Sequence, residues 1–191
     1  IEMEESSQNL QEVNVVATPF RKTAESPLGL RVIGFKEIEK SAGGNRDISR
    51  VVQSFPGVAS TAAFRNDIIV RGGGPSENRF FLDGVEIPNI NHFSTQGASG
   101  GPVGIINPDF IREVNFYAAA FPAARGNALS SVLDFKLQDG NQEKSSARAV
   151  VGASEVAFSA NGPLGKKTTY LVSVRRSYLQ FLFKAIGLPF L

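Results

Sequence analysis

The most constraining stretch is residues 68–87, IIVRGGGPSENRFFLDGVEI. Ile68, Ile69 and Val70 form a β-branched run, followed by Arg71, three consecutive glycines and Pro75. A second apolar run, Phe80-Phe81-Leu82, ends in Asp83-Gly84, and a third, Val85-Glu86-Ile87, stops before Pro88. Such punctuation predicts strand, tight loop, strand, turn, strand. Three glycines supply a backbone free to take positive φ and to be approached closely. Asp-Gly between short apolar runs is a strong hairpin signal. By itself this spacing describes an ordinary β-meander.

Flanking residues add further elements in a fixed order. Residues 30–35 form a strand candidate, and 36–41 a short helix ended by Gly43-Gly44. Asp47 precedes Ile48, Val51, Val52 and Phe55, whose spacing places them on one helical face. Asp47 is a favourable helix cap, and Pro56-Gly57 is a stop. Residues 59–67 read as a polar loop, with Phe64, Arg65 and Asn66 presented outward. Residues 88–104, PNINHFSTQGASGGPVG, form a second long loop. Loops of that length in a compact domain are usually functional or disordered. Asn107-Pro108-Asp109 opens one helical turn, residues 114–117 form a strand, and 132–135 form another.

V-R-G, a polar loop and F-L-D-G-V resemble the central motif of the plug domain of TonB-dependent outer-membrane receptors. The S-F-P-G-V run at 54–58 is similar to the "L-x-x-x-P-G-V" of plugs, and I-R-E-V at 111–114 to their "I-x-R-I-E-V". The chain departs from the family after residue 117. Ala118-Ala119-Ala120 stands where Arg-Gly-Pro is usual, and Ser130-Ser131 where a double glycine is usual. The family's arginine at that place belongs to charge pairs between plug and barrel, so Arg125 is the candidate substitute. Arg71 is expected to be buried and paired, since a guanidinium in a packed lumen needs carboxylate partners. Arg71, Asp83 and Arg125 are therefore the candidates for internal or plug–barrel pairing.

Residues 12–18, EVNVVAT, form a short β-prone segment ahead of a basic linker at 21–26. It is either an edge strand of the domain or a strand offered to a partner sheet. It resembles a TonB box, with Asn14 at a commonly apolar place and Ala17-Thr18 reversed. The resemblance makes Glu12, Val13, Asn14, Val15, Val16, Ala17 and Thr18 the candidate TonB contact. Past Asp139-Gly140-Asn141 the texture changes. Residues 147–152, 156–162 and 170–175 are strand candidates, the last alternating Tyr170, Val172 and Val174 with Leu171, Ser173 and Arg175. Such alternation suits strands between lipid and lumen. G-P-L-G-K-K-T followed by R-R-S-Y-L resembles the first barrel strands of a bacteroidete-type receptor group.

The expected fold is thus α+β. A plug with a small mixed sheet and two short helices would be followed by the first antiparallel strands of a transmembrane β-barrel. Expected boundaries are 1–26 for the N-terminal segment, 27–140 for the plug and 141–191 for the barrel start, an N-terminal piece of a longer chain. The resemblance implies energy-coupled import across the outer membrane of Gram-negative bacteria, with the N-terminus periplasmic. TonB and its inner-membrane energising complex would be partners, and a siderophore, cobalamin, glycan or peptide the cargo. Substrate would meet the two long loops, through Phe64, Arg65, Asn66, Asn91, His92, Phe93, Ser94 and Gln96. The alternative is a non-transporting extracytoplasmic domain whose long loops bind a ligand.

Other chemistries fit less well. Net charge is +2, without the concentrated basic stripe of a nucleic-acid binder. The chain has no cysteine and one histidine, so no thiolate metal site or Cys nucleophile exists, and His92 has no second His or Cys for a metal. No cofactor is expected. Gly97-Ala98-Ser99-Gly100-Gly101 matches G-x-S-x-G, yet both flanks are loop and His92 comes earlier. A phosphate loop at 162–168 fails because Lys167 stands where Ser or Thr would meet Mg²⁺. No apolar run reaches the roughly 18–20 residues of a membrane helix, which leaves a β-barrel open.

Overall fold

The computed structural model describes residues 29–178 apart from 45, 61–64, 93–97, 99–100, 102, 119, 153–154 and 166. Among the described residues it is α+β, with two short helices and three sheets. The main sheet has the order β1-β6-β7-β4-β5. Its strands are β1 (Leu30–Gly34), β4 (Arg79–Leu82), β5 (Val85–Ile87), β6 (Ile111–Tyr117) and β7 (Val132–Leu137). It is mixed: β4 runs parallel to β7 and every other pair is antiparallel.

Helices α1 (Phe35–Lys40) and α2 (Ile48–Gln53) cover one face. Ile38 of α1 and Ile48, Val51 and Val52 of α2 join Ile33, Phe116, Leu133 and Phe135 of the sheet in one buried cluster. The spacing that predicts α2's apolar face is the spacing that seals this core. Phe55 packs at its margin, half-buried, with the Arg31 guanidinium 4.5 Å over its ring. On the opposite face, Phe81, Tyr117 and Val132 make a smaller cluster with Leu30, Phe121 and Ala128.

The central stretch folds as strand, loop and hairpin, with one difference from expectation. Ile69–Val70 (β3) is a two-residue strand that pairs with β2 (Val58–Ala59) rather than joining the main sheet. Asn78, buried, holds this side structure to the sheet. Its Nδ2 donates to the carbonyls of Ile68 (2.6 Å) and Pro75 (3.1 Å), and its Oδ1 accepts from Ser131 Oγ (2.6 Å). The β4–β5 turn has Asp83 at φ 47° and Gly84 at φ 88°, the double positive φ of a two-residue hairpin. β6 begins earlier than the apolar pattern predicts, because a bulge between Ile111 and Glu113 lets Ile111 pair with Leu137.

The third sheet has the order β10-β9-β8, all antiparallel: β8 (Ser146–Val151), β9 (Glu155–Pro163) and β10 (Thr169–Ser177). Its two faces differ in chemistry. Val151, Val156, Phe158, Val172 and Val174 are exposed, while Glu155, Ala157 and Ser159 are buried on the other side. Register places Val174 opposite Phe158, so the exposed apolar residues form one continuous patch.

Candidate functional site: the loop junction at the start of α2

Asp47 caps α2 as its position predicts: one carboxylate oxygen, Oδ1, accepts from Ser49 N at 2.8 Å. The other oxygen does something a cap does not require. Oδ2 accepts from Asn66 Nδ2 at 2.8 Å and from Gly104 N at 3.1 Å. Those donors sit at the bases of the two long loops. Next on the helix, Ser49 Oγ donates to Asn91 Oδ1 at 3.1 Å. One turn later, Gln53 Nε2 donates to the Asp67 carbonyl at 2.9 Å. The neck of the second loop is itself closed by an Asn91–Gly104 bridge, with His92 N bonded to Val103 O and Ile105 N to Ile90 O.

The third sheet reaches the same junction. The Arg175 guanidinium, on β10, donates to the carbonyl of Gly104 and lies 3.7 Å from Glu155. Asn107 Nδ2 donates to Ser173 Oγ at 2.7 Å, while Arg148 of β8 pairs with Glu39 of α1 and lies over the Phe35 ring. A cavity of about 10 Å³, lined by Asp47, Ser49, Ile90, Gly104, Phe135 and Arg175, has room for about one water.

Burial is the main influence on Asp47 and raises its pKa above the ordinary carboxylate value. The Ser49 N–H, the Arg50 charge and the Gly104 N–H act in the opposite direction. The folded state therefore holds this proton more tightly than the unfolded chain. Stability associated with it is fully present below the ordinary value and is lost as pH rises through the raised one. Thermal melts of the full-length protein should show this loss in the window just above the ordinary carboxylate pKa. Asp47→Asn should remove that part of the slope.

The sequence-derived candidates separate at this point. Glu12, Val13, Asn14, Val15, Val16, Ala17, Thr18, Phe64, Phe93, Ser94 and Gln96 lie outside the described residues. Arg65 is exposed and pairs with buried Asp67 at 2.6 Å, and His92 is exposed. Asn66 and Asn91 are corrections to the surface-loop expectation: they are 0% and 1% exposed and turned inward. Their amides serve the junction, because a buried helix start needs partners that loops can supply.

Arg71 is a second correction. It is exposed, has a left-handed backbone (φ 51°) and makes no ion pair among the described residues. Its N–H is bound to the Gly57 carbonyl, and the turn carries the side chain into an open cleft beside Gly73, Leu129 and Ser130. Asp83 is exposed in its turn and accepts from Leu137 N at 3.1 Å. Arg125 pairs with Asp134 at 2.8 Å and stacks 4.5 Å over the Phe81 ring. Ser49, Gly104 and Arg175 carry the junction without any local motif; only the capping pattern at Asp47 was there to point to it.

A family model described as the TonB-dependent receptor plug domain matches residues 22–132, more than half of the chain. The chain belongs to the TonB-dependent receptor plug family. No curated protein matches it. Among solved structures, a mutant of the ferric enterobactin receptor PfeA from Pseudomonas aeruginosa superposes with a TM-score of 0.56 at 20% identity, over 78% of this chain and 24% of that one. FauA, the alcaligin outer membrane receptor of Bordetella pertussis, gives 0.57 at 17%, over 81% and 27%. The outer membrane transporter YddB of Escherichia coli gives 0.55 at 16%, over 77% and 26%. At this identity the likeness establishes the plug fold and its adjoining strands. The chain spans about a quarter of the length of these structures.

Proposed function

We propose that this chain supplies the gate and first wall strands of a TonB-dependent transporter in an outer membrane. The gate closes the lumen at rest and yields during energy-coupled import of a nutrient ligand. The observation that carries this reading is the sidedness of β8–β10. Val151, Val156, Phe158, Val172 and Val174 face away from the plug, and Arg148, Glu155, Ser159, Ser173 and Arg175 lie on the plug side with the small Ala157 among them. Strands of a lipid-embedded barrel need that arrangement, with an oily exterior and a polar lumen. The plug meets the wall through hydrogen bonds and ion pairs, contacts that water can replace when it moves.

The two long loops would receive the ligand, and the segment at 12–18 would pair with a sheet of TonB on the periplasmic side. The solved relatives PfeA and FauA are named for enterobactin and alcaligin, and the ligand proposed here is a nutrient of that broad kind. Deleting residues 12–18 from the full-length protein should abolish energy-dependent uptake and capture by purified TonB. Ligand binding should persist. Normal uptake by the deletion variant would place the motor contact elsewhere.

A further inference from the structure

We propose that Asp47 is a positioning residue whose second carboxylate oxygen clasps both ligand-side loops to α2. Through Gly104, it also ties the second of them to the barrel strand β10. The proposal rests on the loops being the ligand-contacting side of the gate.

The division of labour between the two oxygens carries the argument. Oδ1 alone satisfies the helix cap, at 2.8 Å from Ser49 N. Oδ2 is left for Asn66 and Gly104, separated from Asp47 by 19 and 57 residues. An ionised carboxylate is the one common capping group with acceptors only, able to take three N–H donors at once. Serine caps equally well with one oxygen; asparagine caps with Oδ1 but turns an NH₂ toward two donors. The clasped backbone of Gly104 is in turn held from the other side by Arg175, so wall, loop and helix meet at one residue. Arg46, Arg50 and Arg175 are the cations around the carboxylate; Arg46 is committed to Asp109 at 2.6 Å.

The first loop is held down against a cost. Asn66 Oδ1 and Asp67 Oδ1 are buried without a hydrogen-bond partner among the described residues. A buried oxygen without a donor is unfavourable, so this segment stays inward only while its other bonds hold. Releasing Oδ2 removes a bond from both loop bases at once and leaves each on its remaining contacts, which makes one carboxylate a shared control of two loops distant in sequence.

These 191 residues contain no cysteine, so the test on the full-length transporter requires replacement only of any cysteine encoded outside them. Spin labels at Ser60→Cys and at Ile105→Cys, each paired with one at Val85→Cys on the β4–β5 hairpin, report the two loop bases by distance. All three positions are exposed. The parent protein should give narrow distance peaks. D47S and D47N should lose both narrow peaks, and D47S should leave helical and strand circular dichroism unchanged. N66A, which removes one donor only, should lose the Ser60 peak and keep the Ile105 peak. Parent-like peaks in D47S and D47N would show that Asp47 is a cap and nothing more, overturning the proposal. So would loss of both peaks in N66A. Should D47S fail to fold, the N66A pattern decides alone: selective loss of the Ser60 peak supports the clasp, and any other pattern overturns it. These distances are read without ligand or TonB, so a failed clasp is distinguishable from a failed transport reading.

Discussion

Replacing Arg125 with alanine is expected to destabilise the plug by about 3 kcal/mol, the lower end for removing one partner of a buried ion pair. Asp134 sits in the middle of β7 with its side chain 7% exposed, and Arg125 Nη2 reaches its Oδ2 at 2.8 Å. Among the described residues, the carboxylate without the guanidinium keeps only Lys136 Nζ at 3.4 Å, and its Oδ1 already has no hydrogen-bond partner there. The cation also covers the Phe81 ring, so the alanine variant uncovers part of the smaller apolar cluster. Lysine at 125 would restore charge but not the flat stack, and should recover only part of the loss. Adding Asp134→Asn to Arg125→Ala should recover stability relative to Arg125→Ala alone, because no buried charge is then stranded. Denaturant unfolding followed by circular dichroism on the four proteins measures each value; equal stability of Arg125→Ala and the parent would show the pair to be idle.

Phe135→Ala should cost more, about 3–5 kcal/mol. The ring is 0% exposed, on a central strand whose neighbours in register are Val114 and Leu82. It also walls the small cavity beside Asp47 and Arg175. Truncation would join a new void to a polar pocket, letting water toward a carboxylate whose raised pKa comes from burial. Two readouts should therefore move together: stability drops, and the pH-dependent slope assigned to Asp47 flattens. Phe135→Leu, which keeps most of the volume, should cost less than about 1.5 kcal/mol and leave the slope in place.

Local chemistry made much of this fold legible in the sequence. Asp83-Gly84 specifies its hairpin because few residue pairs tolerate two positive φ angles. Asp47 and the apolar spacing behind it specify the start and inward face of α2, though the helix closes at Gln53, before Phe55 and the Pro56-Gly57 expected to stop it. The alternation at Tyr170, Val172 and Val174 specifies a two-faced strand. What stayed hidden depends on partners far along the chain. Nothing near Asn66 or Asn91 announces that an amide in a polar loop will turn inward to a helix 19 or 42 residues earlier. Arg71 reads as a buried ion-pairing residue because a guanidinium in a packed lumen needs carboxylate partners, yet the left-handed turn at that residue points it out. The pairing of Arg125 with Asp134 needs a loop to fold back over the sheet, a tertiary event that spacing does not encode.

One element of the main sheet has a mechanical meaning. β1 lies at the sheet's margin and is bonded to β6 alone, through the pairs running from Leu30–Tyr117 to Gly34–Glu113. Tension arriving along the chain ahead of Leu30 would load that single seam first. Pulled outward from its Leu30 end, such a margin peels pair by pair, whereas a pull along the strand axis would load all its pairs together. A modest, sustained pull can thus begin to dismantle the plug from this corner while the Phe116–Phe135 heart of the domain still resists.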